Sequence, residues 1–183
     1  YLQQLFTNTY ILDIKERYDI RNDDDLEELI NVIASSIGGL TNPTKIANTF
    51  SSTKQSNISK DTIKNYLDHM QDAFLIEKAI RYDIKGRKYI GTPSKYYYTD
   101  LGLRNALLNF RQFEETHLME NAVYNELLSR GYMVDVGVVE TRKRNKEGKQ
   151  ETRKLEIDFV ANMGSRRYYI QSAFQIPDQE KER

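Results

Sequence analysis

The 183 residues predict an α+β fold, on three observations. Leu26, Leu29, Ile30, Ile33, Ala34 and Ile37 recur at helical spacing, and two further capped helical segments follow them. Ile76 to Tyr82 and Lys88 to Thr92 flank Lys85-Gly86 as a hairpin would. Leu155 to Ala161 and Tyr168 to Phe174 alternate with period two, as neighbouring strands of a mixed sheet do.

The elements follow in order. Asn22-Asp23-Asp24-Asp25 sets acids at the start of the first stripe, where they cap free amides and oppose the helix dipole. Gly38-Gly39 stops that helix. Asn42-Pro43 is a cap with proline at the first helical position, opening a short helix with Ile46, Ala47 and Phe50 inward. A Ser/Thr/Asn-rich connection leads to a second cap, Ser59, and a helix that buries Ile63, Tyr66, Leu67, Met70 and Phe74. Two helices and a turn at this spacing fit a helix-turn-helix, and the hairpin after them fits a wing. Leu101 to Phe110 and Leu118 to Arg130 read as helices, the second ending at Gly131 and carrying an apolar stripe of Met119, Ala122, Val123 and Leu127 with Glu120 at its border. Tyr132 to Val139 reads as a strand. Glu140 to Lys154 is a polar stretch with seven basic and three acidic residues. Asn145-Lys146-Glu147-Gly148 within it predicts a hairpin tip.

The last two strands carry polar groups where a sheet should be apolar. Strict alternation puts Leu155, Ile157, Phe159 and Ala161 on one face and Glu156, Asp158 and Val160 on the other. Paired with Tyr168 to Phe174, this brings Asp158 beside Gln171. A carboxylate beside an amide oxygen suits a hard cation such as magnesium. A carboxylate buried without compensation is costly, so Asp158 requires a metal, a protonated Glu120 or a basic neighbour such as Lys154. Gln171 serves equally as a ligand or as a hydrogen-bond donor to Asp158. Glu156 serves as a further ligand or as a strand-end charge.

With Glu120 on the helix upstream, these residues resemble the PD-(D/E)xK nuclease superfamily, in which a helix glutamate precedes a strand aspartate and a (D/E/Q)-x-K triplet. Glu120, Asp158 and Gln171 match, but Ala173 stands where that family has the lysine that activates water. Ile63 to Tyr66, Phe74 to Ile76, Lys95 to Arg104 and His117 to Asn121 together resemble the region after the ATPase core in a large prokaryotic family of AAA-type ATPases. The resemblance runs from about Leu26 to Phe174. It implies residues 1–20 as the tail of the ATPase region, 21–97 as a winged helix-turn-helix domain, and 98–183 as an α/β nuclease-like domain, incomplete at its C-terminus. It further implies magnesium or manganese on Glu120, Asp158 and Gln171, with the preceding ATPase core as a partner.

Composition narrows the classes. Net charge is zero, so no global field draws in nucleic acid and any such surface is local. Cysteine is absent, which excludes disulfides, thiolate metal sites and a cysteine nucleophile. No apolar run reaches the roughly 20 residues of a membrane span, and no signal peptide is visible; a cytoplasmic protein is expected. No phosphate-loop motif is present, so this region is expected to bind no ATP. His69 and His117 lack partners at zinc-site spacing. As a fragment, the chain is expected to be a monomer or a weak oligomer.

Local basic surfaces remain. The second helix of the helix-turn-helix shows two lysines against three aspartates outward, a poor phosphate-binding face. The wing is richer, with Arg81, Lys85, Arg87, Lys88 and Lys95. Arg142, Lys143 and Arg144 on the polar stretch form a second candidate. Three readings stay open: a DNA-interacting accessory region without cleavage, an active metal-dependent nuclease, and a protein-interaction module.

Overall fold

The computed structural model describes residues 1–20, 23–54, 56–144 and 150–173, the side chains of 23, 54 and 142–144 excepted. Its elements are α1 (Leu2–Phe6), a π-helical turn (Thr7–Ile11), α2 (Leu12–Arg17), α3 (Asp23–Ser35), α4 (Pro43–Lys54), α5 (Lys60–Asp72), β1 (Ile76–Asp83), β2 (Lys88–Tyr98), α6 (Leu101–Leu107), α7 (Glu115–Ser129), β3 (Met133–Arg144), β4 (Gln150–Met163) and β5 (Arg166–Ile170). The fold is α+β with a five-stranded mixed sheet in the order β2-β1-β3-β4-β5. It divides into two compact units, Tyr1–Lys78 with Ser94–Glu114, and Ala79–Pro93 with Glu115–Arg183. Residues 79–93, the far end of the hairpin, belong with the second unit because β1 pairs there with β3.

In the first unit the apolar stripe of α3 is buried at every expected position from Leu26 to Ile37. The expected Asn22 cap lies outside the described residues. Pro43 opens α4, where Asn42 Oδ1 accepts from Thr44 N at 3.0 Å. Ser59 caps α5, accepting from Thr62 N at 3.0 Å, an arrangement typically worth about 1 kcal/mol. Ile63, Tyr66, Leu67 and Met70 are buried on α5 as expected, whereas Phe74 is exposed and has positive φ just past the helix end. Thr41 and Ser94 exchange backbone hydrogen bonds, 2.7 and 3.2 Å long, tying the α3–α4 connection to β2.

Two polar side chains complete this core. Tyr98 donates its hydroxyl to Ile30 O at 2.9 Å, and burial pushes its phenol well above the ordinary range. Arg104 is fully buried; its guanidinium donates to Ala34 O and Gln112 O, both at 2.8 Å. The first of these bonds is buried and satisfies a carbonyl near the end of α3.

In the second unit the end of β1 runs parallel to β3, with Arg81 opposite Val136 and Tyr82 opposite Gly137. The β3–β4 and β4–β5 pairs are antiparallel. The stretch Glu140 to Lys154 is longer in strand than its polarity suggests: the ladder continues through Glu140 with Lys154 to Arg144 with Gln150. The expected tip, Asn145 to Gly148, lies outside the described residues. Cross-strand charge makes the extension workable, as in the 3.1 Å pair between Lys154 Nζ and Glu140 Oε1.

β5 ends at Ile170, earlier than the expected Phe174, which itself lies outside the described residues. Among the described residues no helix is long and apolar enough to cross a membrane.

Candidate functional site

A bulge in β4 builds the site. Asp135 pairs with Val160, but Gly137 pairs with Ile157. β3 therefore has one residue, Val136, between these pairs, where β4 has two, Asp158 and Phe159. The extra residue reverses the alternation: Ile157 shares a side with Val160, not with Phe159 as strict period two requires. Gly137 shows how tight that side is. A Cβ there would lie 2.9 Å from Val160 Cγ2 and 3.0 Å from Ile157 Cβ.

Asp158, on the bulge, is only 8% exposed. Its compensation includes a donor that the sequence did not suggest. Ser172 donates to Asp158 Oδ2 twice, from its backbone N–H at 2.7 Å and from its hydroxyl at 2.6 Å. Lys154 is engaged instead with Glu140. Gln171 is exposed beyond the end of β5, and the residue bonded to the carboxylate is its neighbour. Extending the Phe159–Ile170 register by one residue does predict Asp158 opposite Gln171. The chain leaves the strand at that point and turns Ser172 toward the acid.

α7 covers the Phe159 side, where Tyr124 packs on Phe159 with ring centroids 5.8 Å apart. Burial on this helix runs opposite to expectation. Glu120, Asn121 and Tyr124 are buried, Glu120 to 6% exposure. Met119, Ala122, Val123 and Leu127, read as its inward stripe, instead line an open groove of about 540 Å³ with Tyr132. Glu120 stands one turn before Tyr124 on the same helix face. Two buried carboxylates, Glu120 and Asp158, thus belong to the α7-covered side of the sheet. Glu156 is exposed.

Among the described residues no cluster of three or more His, Cys, Asp or Glu could hold a metal ion. The donors that remain are two carboxylates and the Gln171 amide. Magnesium is commonly held by one or two carboxylates with water completing its shell, so the donor chemistry fits that ion.

Arg81 is a residue that sequence reasoning misplaced. Expected on an exposed wing, it is 9% exposed, and its buried Nε finds no acceptor among the described residues. Tyr82, the next residue, shares the Gly137 side, so Arg81 shares the α7-covered side with Val136. The signal was available: Arg81 falls in an alternating strand, where a lone cation is as unusual as Asp158.

The opposite side carries an aromatic group. Tyr82 and Tyr89 rings lie 5.3 Å apart, and the Arg167 guanidinium sits 5.3 Å from the Tyr82 centroid. Tyr89 donates to Asp135 Oδ2 at 3.4 Å, and that carboxylate pushes the Tyr89 phenol up. Burial raises the Asp135 carboxyl, partly offset by Tyr89 and Arg167.

Of the expected nucleic-acid contacts, Lys85, Arg87 and Lys88 are exposed around the hairpin turn. Asp83 builds this turn by accepting from Gly86 N at 2.9 Å. Lys85 Nζ also donates to Glu140 O at 3.3 Å. Lys95 is 4% exposed and withdrawn from the surface, so it does not extend that patch. Arg142, Lys143 and Arg144 lie on β3, but their side chains are outside the described residues. In the first unit, a groove of about 580 Å³ is lined by Asp24, Asp25, Glu27 and Glu28, a lining that repels phosphate.

These features define an α+β protein whose mixed sheet carries a buried polar site on a bulged strand. The chain belongs to the family described as "Domain of unknown function (DUF8612)", whose model matches residues 1–114. Two relatives are similar over its whole length. An uncharacterized protein of Haemophilus influenzae is 36% identical over 99% of this chain and 42% of its own length. The uncharacterized protein MJ1544 of Methanocaldococcus jannaschii is 28% identical over all of this chain and 38% of its own length. The chain thus spans about two fifths of each relative. No solved structure matches.

Proposed function

We propose that the chain is a DNA-interacting accessory region of an AAA-type ATPase, cytoplasmic, with a nuclease-like second unit that binds without cutting. The observation that carries this reading is the burial of Glu120 and Asp158 on the same side of a bulged strand, with Ala173 where a nuclease of this type needs lysine. Natural cores bury charge where a site requires it, because the desolvation cost is otherwise unreturned. The Thr41–Ser94 bridge and the order α3, α4, α5, β1, β2 support a winged helix. The exposed Lys85, Arg87 and Lys88 support phosphate contact at its hairpin turn. Glu120, Asp158 and Gln171 would hold magnesium or manganese, which would neutralise a phosphodiester at the site. Without the lysine, no usual group remains to activate water.

The test is a titration of the chain into a fluorescent DNA duplex with manganese, at two salt concentrations, with the end points run on a denaturing gel. Salt-sensitive binding to intact DNA is expected. Strands cut by the wild type and left whole by Asp158→Ala would replace this reading with an active nuclease. A second reading, docking of another protein such as the preceding ATPase core, is favoured by the apolar groove along α7. Binding to the core that ignores salt and competitor DNA would establish it.

A further inference from the structure

We propose that the sheet face opposite α7 binds single-stranded DNA, with bases stacked on Tyr89 and Tyr169 and a phosphate held by Arg167. The proposal rests on the nucleic-acid reading above and adds the form of DNA that this face recognises. It concerns the second unit alone, to which all three residues belong. Strand pairing builds the face. Val160 lies opposite both Asp135 and Tyr169, and Tyr82 lies opposite Gly137, two residues along β3 from Asp135. These side chains therefore rise on one side of the sheet. Arg167, two residues before Tyr169, rises with them. Its Nε donates to Asn162 Oδ1 on β4 at 2.7 Å, and its guanidinium reaches the Tyr82 ring on β1. Tyr89 carries the row onto β2 by packing against Tyr82. The row thus crosses all five strands, about 19 Å at four strand spacings. Its two outer rings are open to solvent, Tyr89 at 61% and Tyr169 at 53% exposure. Met133, two residues before Asp135, and Leu155, opposite Val139, are exposed on the same side.

A nucleic-acid base suits this surface, because its π face covers an exposed ring while its polar edge stays in water. A duplex hides those faces in its stack, so a single strand is the form that presents them. The charge of the face complements phosphate. Lys85, Arg87 and Lys88 are exposed at the turn joining β1 to β2, next to Tyr82 and Tyr89, and Arg166 and Arg167 are exposed on β5 at the other end of the row. Asp135, the acid in the row, accepts from Tyr89 and feels the Arg167 charge. Cations at both ends favour a polyanion over a second copy of the chain, since a two-fold pairing would bring like charges together. The length of the row suits a short single-strand site, about four nucleotides.

The test titrates the full chain against a fluorescent oligothymidylate of about 12 nucleotides and against a duplex of the same length. The single strand should bind about tenfold more tightly than the duplex. Tyr89→Ala and Tyr169→Ala should each weaken single-strand binding about tenfold. Tyr89→Phe and Tyr169→Phe should retain it, because stacking needs the ring and not the hydroxyl. Arg167→Gln should lower the slope of log affinity against log salt by about 0.7. In the wild type, oligothymidylate should shift the ring resonances of Tyr89 and Tyr169, and this decides the matter if an alanine variant does not fold. Duplex binding with no preference for the single strand, and no effect of the alanine variants, would overturn the assignment while the DNA reading stands. Single-strand binding that depends on both rings, without duplex binding, would keep this face and remove duplex contact at the hairpin turn. Absence of both would remove both. Tighter binding of an oligouridylate, or a dimer that Tyr169→Ala disperses in sedimentation, would overturn the proposal in favour of RNA or of a second copy.

Discussion

Ser172 gives both of its donors to one oxygen of Asp158, the backbone N–H at 2.7 Å and the hydroxyl at 2.6 Å. A carboxylate held in this way is fixed in orientation, and among the described residues its other oxygen keeps its lone pairs for a cation or a donor. The same clamp explains why the chain leaves the sheet after Ile170. A continuing strand would turn the Ser172 side chain to the opposite face from its neighbour at 171, away from the acid.

Removal of that hydroxyl in Ser172→Ala should cost about 1.5–3 kcal/mol, the range for a hydrogen bond to a charged group. The backbone donor survives, so Asp158 should stay anchored. Urea unfolding checks this. A loss below about 0.5 kcal/mol would mean that water replaces the hydroxyl without penalty.

Gly137→Ala should destabilise by about 1–3 kcal/mol, the usual cost of overpacking. The added methyl meets Ile157 Cβ, which is tied to backbone and cannot swing aside. A thermal melt with unchanged Tm would show that the bulge relaxes freely.

Asp135→Asn should stabilise the protein at neutral pH. Burial raises the Asp135 carboxyl above its ordinary value, so the folded state binds its proton more tightly than the unfolded chain does. Its contribution is then fully present below the ordinary carboxylate pKa and is lost as pH rises through the raised one. The amide removes that loss. The Tm difference between variant and wild type should therefore grow from acid toward neutral pH; a constant difference would contradict the burial account.

Arg104→Met should cost several kcal/mol, because Ala34 O and Gln112 O lose their donor inside the first unit. Arg104→Lys should recover only part, since one ammonium cannot span both carbonyls as a planar fork does. Equal stability of the two variants in urea would reduce Arg104 to a space-filling role.

The helical half was legible because its signals are local. The Ser59 cap, the Asn42-Pro43 start and the stripe from Leu26 to Ile37 each specify their own structure within a turn or two. Glu120 and Asp158 stood out in the sequence as acids within apolar elements, and both are buried, but their geometry was not legible. Strict alternation cannot reveal a bulge, because the inserted residue is defined by the partner strand. That one residue moved Ile157 across the sheet and replaced Gln171 by Ser172 at the carboxylate. α7 misled for a related reason: its apolar residues line a groove, and its polar ones were judged by type instead of by what lies beneath them. Arg81 was grouped with exposed cations by proximity in sequence, although its strand period placed it inward.

The second unit is not a continuous piece of chain. Its β1 strand, ending in Arg81 to Asp83, comes from within the first 114 residues and returns through β2 before the chain enters α6. A protein cut after Glu114, at the boundary where the family match ends, would strip β3 of its parallel neighbour. The severed half would expose an unpaired edge rich in valine, the kind of surface that recruits other chains and aggregates. In synthesis, likewise, β1 must wait about fifty residues for β3, so this pairing is among the non-local contacts of the sheet, the kind whose loop closure costs most entropy.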